Sequence, residues 1–141
     1  MQAKDLLKDI IKGVIEMVTG IEHLAVFSSD TAKLKDWYIK MFDFEQVYDN
    51  QKGTYFLKAQ NGFMIEFIMS DKGEIPQEHT LKGLRHIAIG VDDFEGMTAK
   101  LKAEGVDVVT EPAMSDKGIG TFFFRDPDGN VLHLIYRPTP L

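Results

Sequence analysis

A chain of 141 residues with a hydrophobic fraction of 44% can bury a real core, either as one compact unit or as two small packed modules. Its net charge of -6 and pI near 5.1 exclude the basic stripe with which a nucleic-acid surface displaces phosphate counterions. The lack of cysteine excludes disulfides, thiolate nucleophiles and zinc-thiolate sites, so any metal must be held by nitrogen and oxygen, a usage that fits a reducing cytoplasm.

Residues 4–18 place Leu6, Leu7, Ile10, Ile11, Val14, Ile15 and Val18 at helical spacing. Lys4, Asp5, Lys8, Asp9, Lys12 and Glu16 interrupt any signal peptide or membrane span, which predicts a soluble, cytoplasmic protein. Residues 1–19 therefore read as a separate amphipathic helix, slightly weakened by Gly13. Its charges are mixed rather than basic, so its stripe is expected on its own domain or a partner subunit and not on a membrane.

From Gly20 to Phe27 the sequence Gly-Ile-Glu-His-Leu-Ala-Val-Phe alternates as a strand, with Ile21, His23, Ala25 and Phe27 on one face. Ser29 or Asp30 can cap a helix over residues 31–42, whose Leu34, Trp37, Tyr38, Met41 and Phe42 make a core stripe. Three strands follow near residues 44–48, 54–59 and 63–69, separated by Asp-Asn-Gln-Lys-Gly and Gln-Asn-Gly turns. On the last of them Met64, Glu66 and Ile68 share a face. Residues 70–83 read as a linker containing Gly73, Pro76, Gly83 and a solvated His79.

The plan then repeats. Gly83-Leu-Arg-His-Ile-Ala-Ile-Gly90 puts Leu84, His86 and Ala88 on one face, and Asp92 or Asp93 caps a helix with Phe94, Met97 and Leu101 that stops at Gly105. Strands near residues 106–110, 121–125 and 131–136 complete the copy, with Val131, His133 and Ile135 on one face of the last. Residues 112–120, with Pro112, Gly118 and Gly120, read as a surface loop or a mobile lid. Residues 138–141 are a tail. His23 and His86 are 63 residues apart and Glu66 and His133 are 67 apart, so the chain is a duplication. The expected fold is α+β, two tandem βαβββ modules at about residues 20–69 and 84–137.

Glu66, between Met64 and Ile68 on an apolar strand, costs several kcal/mol if buried without a partner. A metal, a histidinium or a raised pKa could each compensate it. Independent core histidines have no reason to occupy matching places in both copies. His23, Glu66, His86 and His133 are therefore read as metal ligands, three imidazoles and a carboxylate that suit a divalent ion such as Fe, Mn, Co, Ni or Zn. The alternative is a Glu66–histidine ion pair in a cup for an organic ligand.

The βαβββ duplication, the histidines on the first and fifth strands, Glu66 on the fourth, and Phe123-Phe-Arg-Asp-Pro-Asp-Gly-Asn130 before the last strand resemble the vicinal oxygen chelate superfamily. That group includes glyoxalase I, methylmalonyl-CoA epimerase, extradiol dioxygenases, and the fosfomycin and bleomycin resistance proteins. The resemblance implies modules that curl into a cup-shaped sheet around a metal that chelates vicinal oxygens of a small-molecule substrate. It also implies a homodimer, in which His23 and Glu66 of one subunit meet His86 and His133 of another. His133 departs from the glutamate typical of glyoxalase I and the epimerase, which leaves Glu66 as the carboxylate able to act as base. Asp43 stands where such sequences often have glycine, which alters a turn. The implied function is a metal-dependent lyase or isomerase acting on a 2-oxo or α-hydroxycarbonyl compound. Alternatives are an iron-dependent dioxygenase using His23, His86 and Glu66, or a non-catalytic binding or resistance protein. Phe27, Phe63, Phe67 and Phe122 are expected to form an apolar wall of the cup.

Overall fold

A computed structural model describes residues 2–15, 17–76 and 80–141. Helix α1 (Ala3–Ile15) precedes two repeats of one plan. The first is β1 (His23–Ser28), α2 (Thr31–Phe42), β2 (Glu45–Asp49), β3 (Tyr55–Lys58) and β4 (Met64–Met69). The second is β5 (Ile87–Gly90), α3 (Phe94–Ala103), β6 (Asp107–Met114), β7 (Gly120–Arg125) and β8 (Val131–Tyr136). Each repeat makes one four-stranded sheet, ordered β1-β4-β3-β2 and β5-β8-β7-β6. The opening strand lies parallel to the closing one and the other pairings are antiparallel. The α+β duplication expected from the sequence is thus present. His79 lies outside the described residues.

Local chemistry sets the helix ends. Of the candidate caps, Asp30 and Asp93 are the ones used: their carboxylates accept from the Lys33 and Gly96 backbone N–H groups at 3.1 and 2.9 Å. Asp43 ends α2 at φ 58°, and its N–H donates to the Ile39 carbonyl at 2.9 Å. This is the left-handed position that glycine usually takes, and aspartate is among the few other residues that visit it routinely.

Helices α2 and α3 pack on one side of the sheets. Leu34, Tyr38, Met41 and Phe42 of α2 join Leu57, Ile65 and Phe67 of the first sheet and Phe122, Phe124, Leu132 and Leu134 of the second in one buried cluster. Strand alternation corrects one expectation here. Phe67 and Phe122 are fully buried on the helix side, because each is the immediate neighbour of a residue that points the other way, Glu66 and Phe123. They do not line the opposite face.

A buried hydrogen bond helps tie the repeats together, beside the Lys40–Glu104 pair and the Lys100 ammonium on the Lys40 and Met41 carbonyls. The Tyr38 hydroxyl donates to Asp126 Oδ2 at 2.7 Å, across 88 residues of sequence and inside the core. Asp126 also accepts from the Asp128 and Asn130 backbone N–H groups at 2.9 and 3.0 Å and from the Asn130 side chain at 2.9 Å. The Asp-Pro-Asp-Gly-Asn turn is therefore wound around one buried carboxylate. Burial raises its pKa while these hydrogen bonds pull it down, and Tyr38 is raised well above the ordinary phenol value by burial and by Asp126.

Three segments differ from expectation. Strand β6 continues through Pro112 to Met114, since the β6–β7 register is irregular between Thr110 and Ala113 and a residue with no N–H to donate is tolerated there. The expected loop at residues 112–120 shrinks to a turn closed by Ser115, whose N–H donates to Ile119 O at 2.9 Å and whose hydroxyl accepts from Ile119 N at 3.1 Å. Helix α1 leaves Leu6, Leu7, Ile10 and Ile11 46–57% exposed, so these four side chains are not buried against their own domain. Among the described residues, no helix is long and apolar enough to cross a membrane.

Candidate functional site

On the sheet face away from the helices, each repeat presents two polar side chains on a diagonal. His23 opens β1, and the parallel register pairs Ala25 with Glu66, so histidine and glutamate sit one step apart on adjacent strands. His23 Nε2 lies 3.7 Å from Glu66 Oε1, beyond hydrogen-bond length, while Nδ1 lies 3.0 Å from Glu22 Oε1. Phe56, the register partner of Glu66 on β3, meets the imidazole edge-on at 5.4 Å, and Tyr48 meets Phe56 at 5.7 Å.

The second repeat copies this geometry with different chemistry. Ala88 pairs with His133, and His86 stands just before β5 as His23 stands at the start of β1. The His86 and His133 rings meet edge-on at 4.4 Å. Phe123, partner of His133 on β7, stacks on it at 4.4 Å with 9° between the planes, and its centroid is 5.5 Å from that of His86. Phe56 and Phe123 are therefore equivalent members of the duplicated face. Both stand ten residues before the closing polar residue, Glu66 or His133, a spacing present in the sequence.

His133 is 8% exposed, and its buried Nδ1 has no hydrogen-bond partner among the described residues. Burial first, then the charges of His86 and Arg137, lower its pKa to about 4, against a smaller upward pull from a contact with the Leu134 backbone. Burial and then Arg85 also lower that of His86. Both imidazoles are neutral near pH 7 and keep a lone pair, the form that binds metals.

His23 and His86 both border an open cleft of about 280 Å³ with Ile21, Leu24 and Ile87. A larger cleft, about 400 Å³, lies between Phe44, Phe63 and Ile65 on one side and β5 on the other, and none of its lining residues is titratable. Phe63 thus lines both clefts, and Phe27 is exposed on the His23 side of β1. Among the described residues, no three histidine, aspartate or glutamate side chains gather into a group that could hold a metal ion. The predicted ligands stand as two pairs, His23 with Glu66 and His86 with His133. Within one chain they do not form a four-ligand centre.

The family model of the Glyoxalase/Bleomycin resistance protein/Dioxygenase superfamily matches residues 20–134. The uncharacterized protein YwkD of Bacillus subtilis (strain 168) is 33% identical over 127 residues, 84% of this chain and 97% of that protein. The fosfomycin resistance protein FosX of Listeria innocua is 27% identical over 123 residues, 84% of this chain and 90% of that protein. The crystal structure of SMU.1112c superimposes with a TM-score of 0.70 at 27% identity, covering 84% of this chain and 98% of that one. With its duplicated βαβββ plan and the family match across both repeats, the chain belongs to the Glyoxalase/Bleomycin resistance protein/Dioxygenase superfamily.

Proposed function

We propose that this protein is a metal-dependent enzyme of the lyase or isomerase type acting on a small substrate with adjacent oxygens, a 2-oxo or α-hydroxycarbonyl compound. The divalent ion is held by His23 and Glu66 of one copy of the chain and by His86 and His133 of a second, in a homodimer. The observation that carries this reading is His133: a buried imidazole, neutral near pH 7, with an unpartnered Nδ1 and a second imidazole against its ring. An uncompensated buried nitrogen costs about 1–3 kcal/mol, and a cation is the partner that neutral imidazoles accept most readily. The donor set of three imidazoles and a carboxylate fits Fe, Mn, Co, Ni or Zn. When bound, such an ion supplies Lewis acidity toward the substrate's oxygens.

The chain's own residues supply the rest. Glu66 is the one carboxylate among the four, so it takes the proton from the carbon next to the carbonyl and returns it to the neighbouring position. Phe56 and Phe123 flank the two halves with apolar rings, which favour a partly apolar substrate and lower the local dielectric around Glu66. The two fosfomycin resistance relatives support a second reading, a resistance protein that takes up a small organic molecule; whether it turns that molecule over is the point on which the non-catalytic alternative differs.

Elemental analysis of untagged protein beside a His23→Ala/His86→Ala control tests the metal: one ion per chain, lost in the control, is expected. Absence of metal after reconstitution with each of the five ions sinks the reading in favour of the binding protein. Mixing His23→Ala chains with His133→Ala chains tests the shared site. In mixed dimers both substitutions fall on the same site, so binding returns at the other. If each site lies within one chain, nothing returns.

A further inference from the structure

We infer that Glu22 is a positioning residue, which fixes the tautomer of His23 so that Nε2 presents a lone pair beside Glu66; this rests on the metal reading above. Residues adjacent in an extended strand point to opposite faces, so contact between neighbouring side chains is not automatic. Here β1 begins at His23, and Glu22 lies just ahead of it with its carbonyl accepting from Met64 N at 3.1 Å. That anchors its backbone to the start of β4 and leaves the carboxylate free to turn onto the imidazole. Glu22 Oε1 stands 3.0 Å from Nδ1, and Phe56 braces the ring from the side.

A carboxylate only accepts, so the proton must sit on Nδ1 of the neutral ring. Nε2, on the opposite edge, then carries the lone pair, 3.7 Å from Glu66 Oε1. Two donors each about 2.0–2.2 Å from one ion lie roughly 3.0–3.6 Å apart at bond angles between right and trigonal, so a small closure brings this pair to ligating distance. Were the proton on Nε2 instead, it would point at Glu66, and the two would mask each other in a hydrogen bond. His86 and His133 meet each other and have no carboxylate on either ring among the described residues, so this device belongs to the first repeat alone.

Glu22 is exposed, with 74% of its side chain accessible, so truncating it leaves the core untouched. The test uses Glu22→Ala and Glu22→Gln, the latter keeping a carbonyl that accepts from Nδ1–H. Long-range ¹H–¹⁵N correlation spectra of the metal-free protein should place the His23 proton on Nδ1 in the parent and in Glu22→Gln, and on Nε2 in Glu22→Ala. A cobalt(II) titration should then show the apparent Kd weakened roughly tenfold in Glu22→Ala, as for other partners of metal-ligating histidines, and largely restored in Glu22→Gln. An unchanged tautomer in Glu22→Ala, or an Nε2 proton in the parent, overturns the inference and leaves the metal reading standing. Failure of the parent to take up cobalt overturns the metal reading, an outcome on which the metal-free spectra do not depend.

Discussion

The two repeats share backbone register, diagonal side-chain placement and a flanking phenylalanine, yet their polar groups keep different company. In the first, His23 lies between two carboxylates, 3.0 Å from Glu22 and 3.7 Å from Glu66. In the second, His86 and His133 face each other at 4.4 Å, burial and then neighbouring positive charge push their pKa values down, and Nδ1 of His133 has no partner among the described residues. Duplication preserved the geometry and let the chemistry diverge: one half offers negative charge, the other neutral nitrogen. The proposed dication would draw on both halves.

Removing the charge from the first half is the severest test of that division of labour. Glu66→Gln keeps the shape and hydrogen-bonding reach but takes away the only carboxylate among the four proposed ligands. Turnover should fall by about 10²–10⁴-fold, the usual contribution of a positioned general base, as measured by solvent deuterium exchange at the carbon next to the carbonyl. Full activity in this variant removes Glu66 as base and places the chemistry outside the first half.

Acid should distinguish the halves through the second. Unfolded, His133 takes its proton near pH 6.5; folded, it holds out until about pH 4. Between these values the unfolded chain binds more protons, so stability falls as pH falls and is restored as pH rises. The full difference is worth about 3 kcal/mol, to be read from urea denaturation of the metal-free protein at successive pH values. A flat profile between pH 6.5 and 4 would show that His133 is not held neutral by its surroundings.

The join between the repeats should give a smaller effect, read at neutral pH. Tyr38→Phe removes the donor that reaches Asp126 and leaves a buried carboxylate with one hydrogen bond fewer. A loss of about 2 kcal/mol in urea denaturation is expected, with the Asp-Pro-Asp-Gly-Asn turn loosened in hydrogen exchange. No loss would mean that the apolar cluster around Phe42 and Phe124, with the Lys40–Glu104 and Lys100 contacts, holds the repeats together without this bond.

Much of this was legible in the sequence because it is written in short periods. The boundaries of α2, the caps at Asp30 and Asp93, and the strand β8 follow from alternation and capping chemistry within a few residues of each other. Phe67 and Phe122 lie away from the site face because nearness in sequence to a polar site residue means, on a strand, the opposite face. Pro112 reads as the start of a loop because nothing local announces the register irregularity that accommodates it. How the four polar residues assort is not a local property at all. It depends on the Tyr38–Asp126 bond and the shared core, formed between residues some eighty positions apart. The contact between Glu22 and His23 was equally hidden, since alternation alone assigns neighbours to opposite faces.

The mildest change makes the sharpest comparison between the halves. His133→Phe replaces a buried ring having an unpartnered nitrogen with an apolar ring of nearly the same outline, still able to stack on Phe123. The metal-free protein should gain about 1 kcal/mol at pH 7, the low end of what an unsatisfied buried polar group costs, and its stability should lose the acid slope assigned to this residue. Metal binding should disappear with the ligand. His23→Phe, made at the equivalent place, should give no gain, because it discards a nitrogen already bonded to Glu22 and leaves Glu66 without its neighbour. Urea denaturation of the two variants at pH 7 and pH 5 reads both predictions. A second half that is more stable without its histidine, opposite a first half that is not, is what a site kept for ligand binding looks like in energetic terms. Equal and unfavourable effects in both halves would instead make His133 an ordinary packing residue, and the divergence between the repeats would then have no bearing on metal.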